Sequence, residues 1–205
     1  MKKLLLLVVA VFWVARAAAS PGVSMSPNDV VKSAVQTVMA AAKADPAAKD
    51  GDIDATAKVV RRDFLPYADF AQTTRLSAGA AWQTMTAVQR KALVQQFTTL
   101  LVRTYALQLV QVRDEVVKFS FEPASVNAAG NDAVVRTEIK SGDGDNVQVA
   151  YRLVNTPAGW RIYDIDMMGI WLIKLYQPQL STQFARSGAD GLIKYITDHN
   201  ARVEG

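Results

Sequence analysis

Asp164 and Asp166 stand two residues apart in the stretch WRIYDIDM, which alternates like a strand, so both carboxylates leave the same face of a sheet. In an enclosed pocket their mutual repulsion would raise one pKa and supply a general acid or base. Ile165 and Met167 point the other way. That facing places the apolar pair inward and the acids outside, solvated or bonded to an arginine or a helix N-terminus. The single histidine, His199, falls in the polar tail of the last predicted helix, and the chain has no cysteine. One imidazole and no thiolate cannot assemble the usual transition-metal ligand sets. Neither a phosphate-binding glycine loop nor a nucleophile elbow is present. No catalytic residue, metal site or cofactor is therefore expected, and an enzyme working through Asp164 and Asp166 is the alternative reading.

The start of the chain reads as an export signal. MKK is a basic n-region, Leu4 to Val14 is an uninterrupted apolar run, and ARAAAS offers small residues for cleavage between Ala17 and Ser20. The run is shorter than the ~20 residues that span a bilayer. Residues 1–19 are thus expected to be removed, leaving a single domain from residue 20 to 205 in the periplasm. The formal charge of +4 changes with that removal. Lys2, Lys3 and Arg16 leave, and the remaining 20 basic residues face 19 acidic ones. No strong basic field remains to attract nucleic acid. Without cysteine there is no lipid-anchor site and no disulfide scaffold, so the fold rests on its core.

The elements that must position any site fall into three blocks. Pro27 opens a helix whose apolar residues, from Val30 through Val38 to Ala42, form one stripe. KADPAAKDGDID reads as a charged connection, followed by short helices broken at Pro66. The longest helix follows, from Thr86 to Val112, with Thr86 and Gln89 spaced as a capping box. The periodicity then changes from 3.6 to 2. EVVKFSFE puts Val117, Phe119 and Phe121 on one side, and NDAVVRTEIK, VQVAYRL and WRIYDIDM alternate likewise. NAAGND, SGDGDN and NTPAG are the turns between them. After Gly169 the pattern is helical through Phe184, and DGLIKYITDHNARV closes as a further amphipathic helix. Helices, an antiparallel meander of about four strands, then helices again define an α+β fold, with the helices over one face of the sheet. A cleft between those layers is a natural ligand cavity.

The apolar inventory exceeds what caps and turns require. The residues expected to line such a cavity are Phe64, Tyr67, Phe70 and Trp82 from the short helices, and Phe97, Leu101 and Tyr105 from the long one. Val149, Tyr151, Ile165 and Met167 come from the strands. Met168, Ile170, Trp171, Leu172, Leu175 and Tyr176 come from the passage that follows, whose stripe is wider than a surface helix needs. Its flexible methionines suit a ligand without fixed shape. If all these side chains simply fill a core, the chain is instead a protein-binding adaptor.

The block from Asp63 to Leu109, DFLPYADFAQTTRLSAGAAWQTMTAVQRKALVQQFTTLLVRTYALQL, resembles the helical half of the MlaC, or toluene-tolerance, family. The marks are the phenylalanine-rich segment, the step from Gly79 to Trp82, and F-x-x-L-L-x-x-T-Y ending at Tyr105. Val147 to Phe184 resembles the family's second half through V-x-Y-R-L, G-W-x-I-Y-D and G-I-x-L. One departure is Gln177-Pro178 after Tyr176, where relatives often carry an arginine. The resemblance implies a cystatin- or NTF2-like sheet with a helical layer and phospholipid tails between them. It also implies a monomeric periplasmic carrier that works with an inner-membrane ABC transporter and an outer-membrane lipoprotein partner.

Overall fold

A computed structural model describes residues 25–112, 118–140 and 146–203. Ser26 caps the first helix, α1 (Pro27–Ala44). Its hydroxyl accepts from the Asp29 amide, and the Asp29 carboxylate reaches back to the cap. The stripe Val30, Val31, Ala34, Val35, Val38 and Ala42 is buried, as its spacing predicts. The charged connection is not plain loop. It holds one turn of helix, α2 (Pro46–Lys49), because Asp45 accepts the Ala48 N–H at 3.0 Å and Pro46 sits in the first turn. Around Pro66 run α3 (Ile53–Asp63), a 3-10 turn (Leu65–Tyr67) and α4 (Phe70–Ala78). A single turn, α5 (Ala81–Thr84), precedes the long helix α6 (Ala87–Val112). The capping box predicted for α6 is present. The Gln89 amide donates to the Thr86 hydroxyl at 3.2 Å, and the Thr86 amide donates to the Gln89 side chain at 3.0 Å.

The strands are β1 (Lys118–Phe121), β2 (Ser125–Val126), β3 (Asp132–Lys140), β4 (Asn146–Thr156), β5 (Gly159–Met167) and β6 (Ile170–Trp171). They form one antiparallel sheet in the order β1-β3-β4-β5-β6, with β2 also paired to β3. β1, β3, β4 and β5 are the four strands that the alternation predicts, and two two-residue strands add to them. The hairpin turn in SGDGDN falls on residues 141–145, outside the described ones, as does Val117. Between the pairs Arg152–Asp164 and Leu153–Ile162, β5 carries one extra residue, Tyr163. Its carbonyl accepts from Thr73 Oγ1 at 2.6 Å and its hydroxyl donates to Asp132 at 2.7 Å.

The passage after β5 departs from the sequence reading. The chain does not turn directly into a helix at Gly169. It makes a two-residue hairpin at Met168 and Gly169, with φ of 54° and 86°, and returns as β6 before α7 (Leu172–Val203) begins. Positive φ at both central residues is what a type I′ hairpin turn requires, and there asparagine followed by glycine is preferred. Met168 adopts this geometry against the clash of its Cβ with the backbone. Met168→Asn is expected to raise stability by about 0.5–1 kcal/mol. A thermal melt should then shift upward by about 2 °C; no shift would mean that the turn holds no strain. Further along, α7 is interrupted at Gly188, whose φ of 68° and ψ of −170° belong to a region that only glycine occupies comfortably.

Two apolar layers result. α1 covers the sheet, and Val31, Ala34 and Val35 join Val135, Tyr151, Leu153 and Ile162 in one cluster. The second cluster is helical: Leu93, Phe97 and Leu101 of α6 pack with Leu180, Leu192 and Ile196 of α7 and with Ala78 of α4. The main packing partners of α6 are α3, α4 and α7, whereas those of the sheet are α1, α4 and α7. The long helix is thus tied to its helical neighbours more than to the strands.

Candidate functional site

The two layers adjoin where α4 and α7 pack on β5, and half-buried apolar side chains fringe both clusters along this seam. On the sheet side the buried cluster is fringed by half-buried Phe64, Tyr67, Phe119, Phe121, Ile139 and Ile165. On the helical side the fringe is Phe70, Trp82, Leu100, Tyr105, Tyr176 and Phe184. Large apolar side chains left half-covered along the margins of two cores are what an additional apolar molecule could complete. Phe119, Phe121, Ile139, Leu100 and Phe184 were not among the expected lining residues. The alternation of KFSF already marked the two phenylalanines as sharing one face.

The bulge at Tyr163 sets which β5 residues face this seam. Leu153 pairs with Ile162, Tyr151 with Ile165, and Val149 with Met167. Trp160 and Ile162 therefore share a face with Ile165 and Met167, although their numbers differ in parity. Burial pushes the Tyr151 hydroxyl up to about 12. It also raises Tyr105 and Tyr176 above the usual phenol value. These phenols stay neutral at any physiological pH, so the tyrosines bring no charge to the seam.

The expected lining residues sort into three groups. Phe97, Leu101, Val149, Tyr151 and Leu172 are fully buried core. Phe64, Tyr67, Phe70, Trp82, Tyr105, Ile165, Met167, Trp171 and Tyr176 are half-buried. Met168, Ile170 and Leu175 are 79%, 54% and 42% exposed. The last three were expected to point inward on a helix starting at Gly169. The hairpin turns Met168 outward and places Ile170 and Trp171 on a short edge strand, so the helical stripe begins only at Leu172; there Leu172 is buried and Tyr176 half-buried, whereas Leu175 faces outward.

Asp164 also departs from expectation. It is 1% exposed rather than outside. The facing was read correctly, because Asp164 pairs with Arg152 on the face away from Tyr151. That face is not solvent, however: β6 and the first turn of α7 roof it. One Asp164 oxygen accepts the Ile173 amide at 3.1 Å and the Ile165 amide at 3.1 Å, and the other accepts Arg152 Nη1 at 3.2 Å. The first turn of α7 has no acidic residue of its own, so a neighbouring strand supplies the cap. The Arg152 guanidinium lies 3.9 Å from the centre of the Trp171 ring, which fixes β6 from its other side. Asp166 accepts the Gly169 amide at 2.8 Å and braces the hairpin. Both carboxylates are engaged in holding the β5–β6–α7 corner.

Burial raises the Asp164 pKa, while the Ile173 amide and Arg152 oppose it. The folded carboxyl thus titrates above the ordinary value of about 4. In that window the folded state holds a proton that the unfolded chain has released, so stability falls as the pH rises through it. Asp164→Asn keeps an acceptor for the Ile173 amide and is expected to flatten that part of the profile. Urea denaturation across pH measures this; an unchanged slope would assign the titration to another group.

Two surface clefts are lined by other residues, one between α3 and α6 and one between α6 and the last turns of α7. Among the described residues no acidic or histidine cluster could hold a metal ion, and no helix is long and apolar enough to cross a membrane.

The family model described as MlaC protein matches residues 32–198. Among solved structures, the chain is similar to a phospholipid-binding protein from Ralstonia solanacearum in complex with a phospholipid. The TM-score is 0.81 and the identity 32%, over 88% of this chain and 100% of that one. A comparison with curated proteins finds no match. With a sheet cradled by helices, a margin of half-buried aromatics and this likeness along nearly its whole length, the chain belongs to the MlaC family.

Proposed function

We propose that this protein is a periplasmic phospholipid carrier. It buries acyl chains in the seam between sheet and helical layer and passes them between an outer-membrane lipoprotein partner and an inner-membrane ABC transporter. The observation that carries the reading is the likeness, over the full length of the Ralstonia chain, to a fold that holds a phospholipid. The family membership and the half-buried margins of the two cores support it.

The energetics fit such a role. Burying acyl chains is worth ~0.8 kcal/mol per methylene, so two tails of ~30 methylenes gain roughly 24 kcal/mol over water. A bilayer provides nearly the same burial, so loading and unloading are close to balanced. The protein then serves to remove the barrier of crossing water. The small net charge remaining after export suits a shuttle that must release from anionic surfaces.

The test is an organic extract of protein purified without detergent, examined by mass spectrometry. Co-purifying phospholipid is expected. A well-folded protein that is empty and takes up no lipid from vesicles would overturn the reading.

A further inference from the structure

Lys58 and Arg61 stand nearly one turn apart on α3 and flank a cleft that Thr99 and Arg103 of α6 close from the other side. The floor is Ala57, packed with Val102 and Ala106, so the two helices approach closely and the longer side chains stand over their seam. The cleft has a volume of about 400 Å³. Two guanidinium groups are fixed there. Arg61 Nη2 donates to Thr99 Oγ1 at 2.9 Å, and Arg103 Nη2 donates to Asp54 Oδ1 at 2.9 Å. Thr99 Oγ1 in turn donates to the Gln95 carbonyl at 3.1 Å, which leaves its lone pairs for Arg61.

The charge here is unbalanced. Among the described residues lining the cleft, Asp54 is the one carboxylate and is engaged by Arg103, so Lys58 and Arg61 are the cations that carry the local excess. Among the described residues Lys58 has no carboxylate partner, and the bond made by Arg61 is to a hydroxyl. From residue 25 onward the chain is close to neutral, so the excess is local. We infer that this cleft is an oxyanion site that takes a phosphate group. Arg61 keeps N–H donors in a planar fork suited to two phosphate oxygens, and Lys58 adds a compact charge on a flexible stem. Because both guanidinium groups are already held, little side-chain freedom is lost on binding. The site is separate from the neutral seam and serves a different chemistry. The phosphate belongs either to an anionic lipid headgroup at a bilayer surface or to a free phosphate ion.

The test uses the full mature chain and the double variant Lys58→Gln/Arg61→Gln, whose altered positions are exposed and outside every core cluster. Calorimetric titration with inorganic phosphate at low ionic strength is paired with flotation on phosphatidylcholine vesicles with and without phosphatidylglycerol. The wild type is expected to bind, and the variant about tenfold or more weakly. Capture by the anionic vesicles alone, lost in the variant, assigns the phosphate to a headgroup. Phosphate binding without vesicle capture assigns it to the free ion. The inference is overturned if the wild type binds neither, or if the variant binds as the wild type does. An unchanged melting temperature excludes unfolding, and unchanged co-purified phospholipid keeps this result independent of the carrier function.

Discussion

Ile165→Glu protein is expected to purify folded but with its phospholipid content reduced at least about tenfold, a loss of more than about 1.4 kcal/mol in affinity. Ile165 is half-buried, lies opposite Tyr151, and sits at the margin of the sheet cluster. A carboxylate there is hydrated when the seam is empty, so the fold tolerates it. With an acyl chain beside it the same group loses water and gains no partner, at a cost of several kcal/mol. Mass spectrometry of an extract reads the cargo, and a thermal melt checks the fold. Val88→Glu is the control, because Val88 is 79% exposed at the start of α6 and should leave cargo untouched. Full retention of lipid by the Ile165 variant would mean that its side of the seam is only the edge of a core.

The second large effect concerns stability. Phe97 is completely buried at the centre of the helical cluster, and its ring meets Tyr176 edge-on with centroids 5.2 Å apart. Phe97→Ala removes the ring, leaves a cavity between α6 and α7, and abolishes the aromatic contact. A loss of about 3–5 kcal/mol is expected, lowering the melting temperature on the order of 10 °C. A change below about 1 kcal/mol would show that the helices collapse onto the space.

The α1 stripe was legible because it spans several turns, enough for its spacing to specify a helix, and the start of α6 was legible because Thr86 and Gln89 satisfy each other's amides locally. β6 was not legible. Two residues carry no periodicity, and the hairpin before it is built from Met168-Gly169 rather than from a strong turn pair. The burial of Asp164 was hidden for a related reason: alternation gives the face of a strand but not what covers that face. The half-buried fringe was legible in part, since Phe64, Tyr105 and Ile165 announce themselves by type. The cleft between α3 and α6 was not, because Lys58 and Arg61 look like an ordinary solvated face until α6 is set beside them.

The extra residue at Tyr163 acts as a phase shift in β5. On its N-terminal side the even-numbered residues Trp160 and Ile162 face the core, and beyond it the odd-numbered Ile165 and Met167 do. Which surface of the strand is oily and which is ionic therefore depends on a count of residues as much as on their chemistry. Were Tyr163 to take a regular place in the ladder opposite Arg152, Asp164 would fall opposite Tyr151 and face the seam, and Ile165 would turn to the other surface. In this strand, chain length itself separates the apolar surface from the charged one.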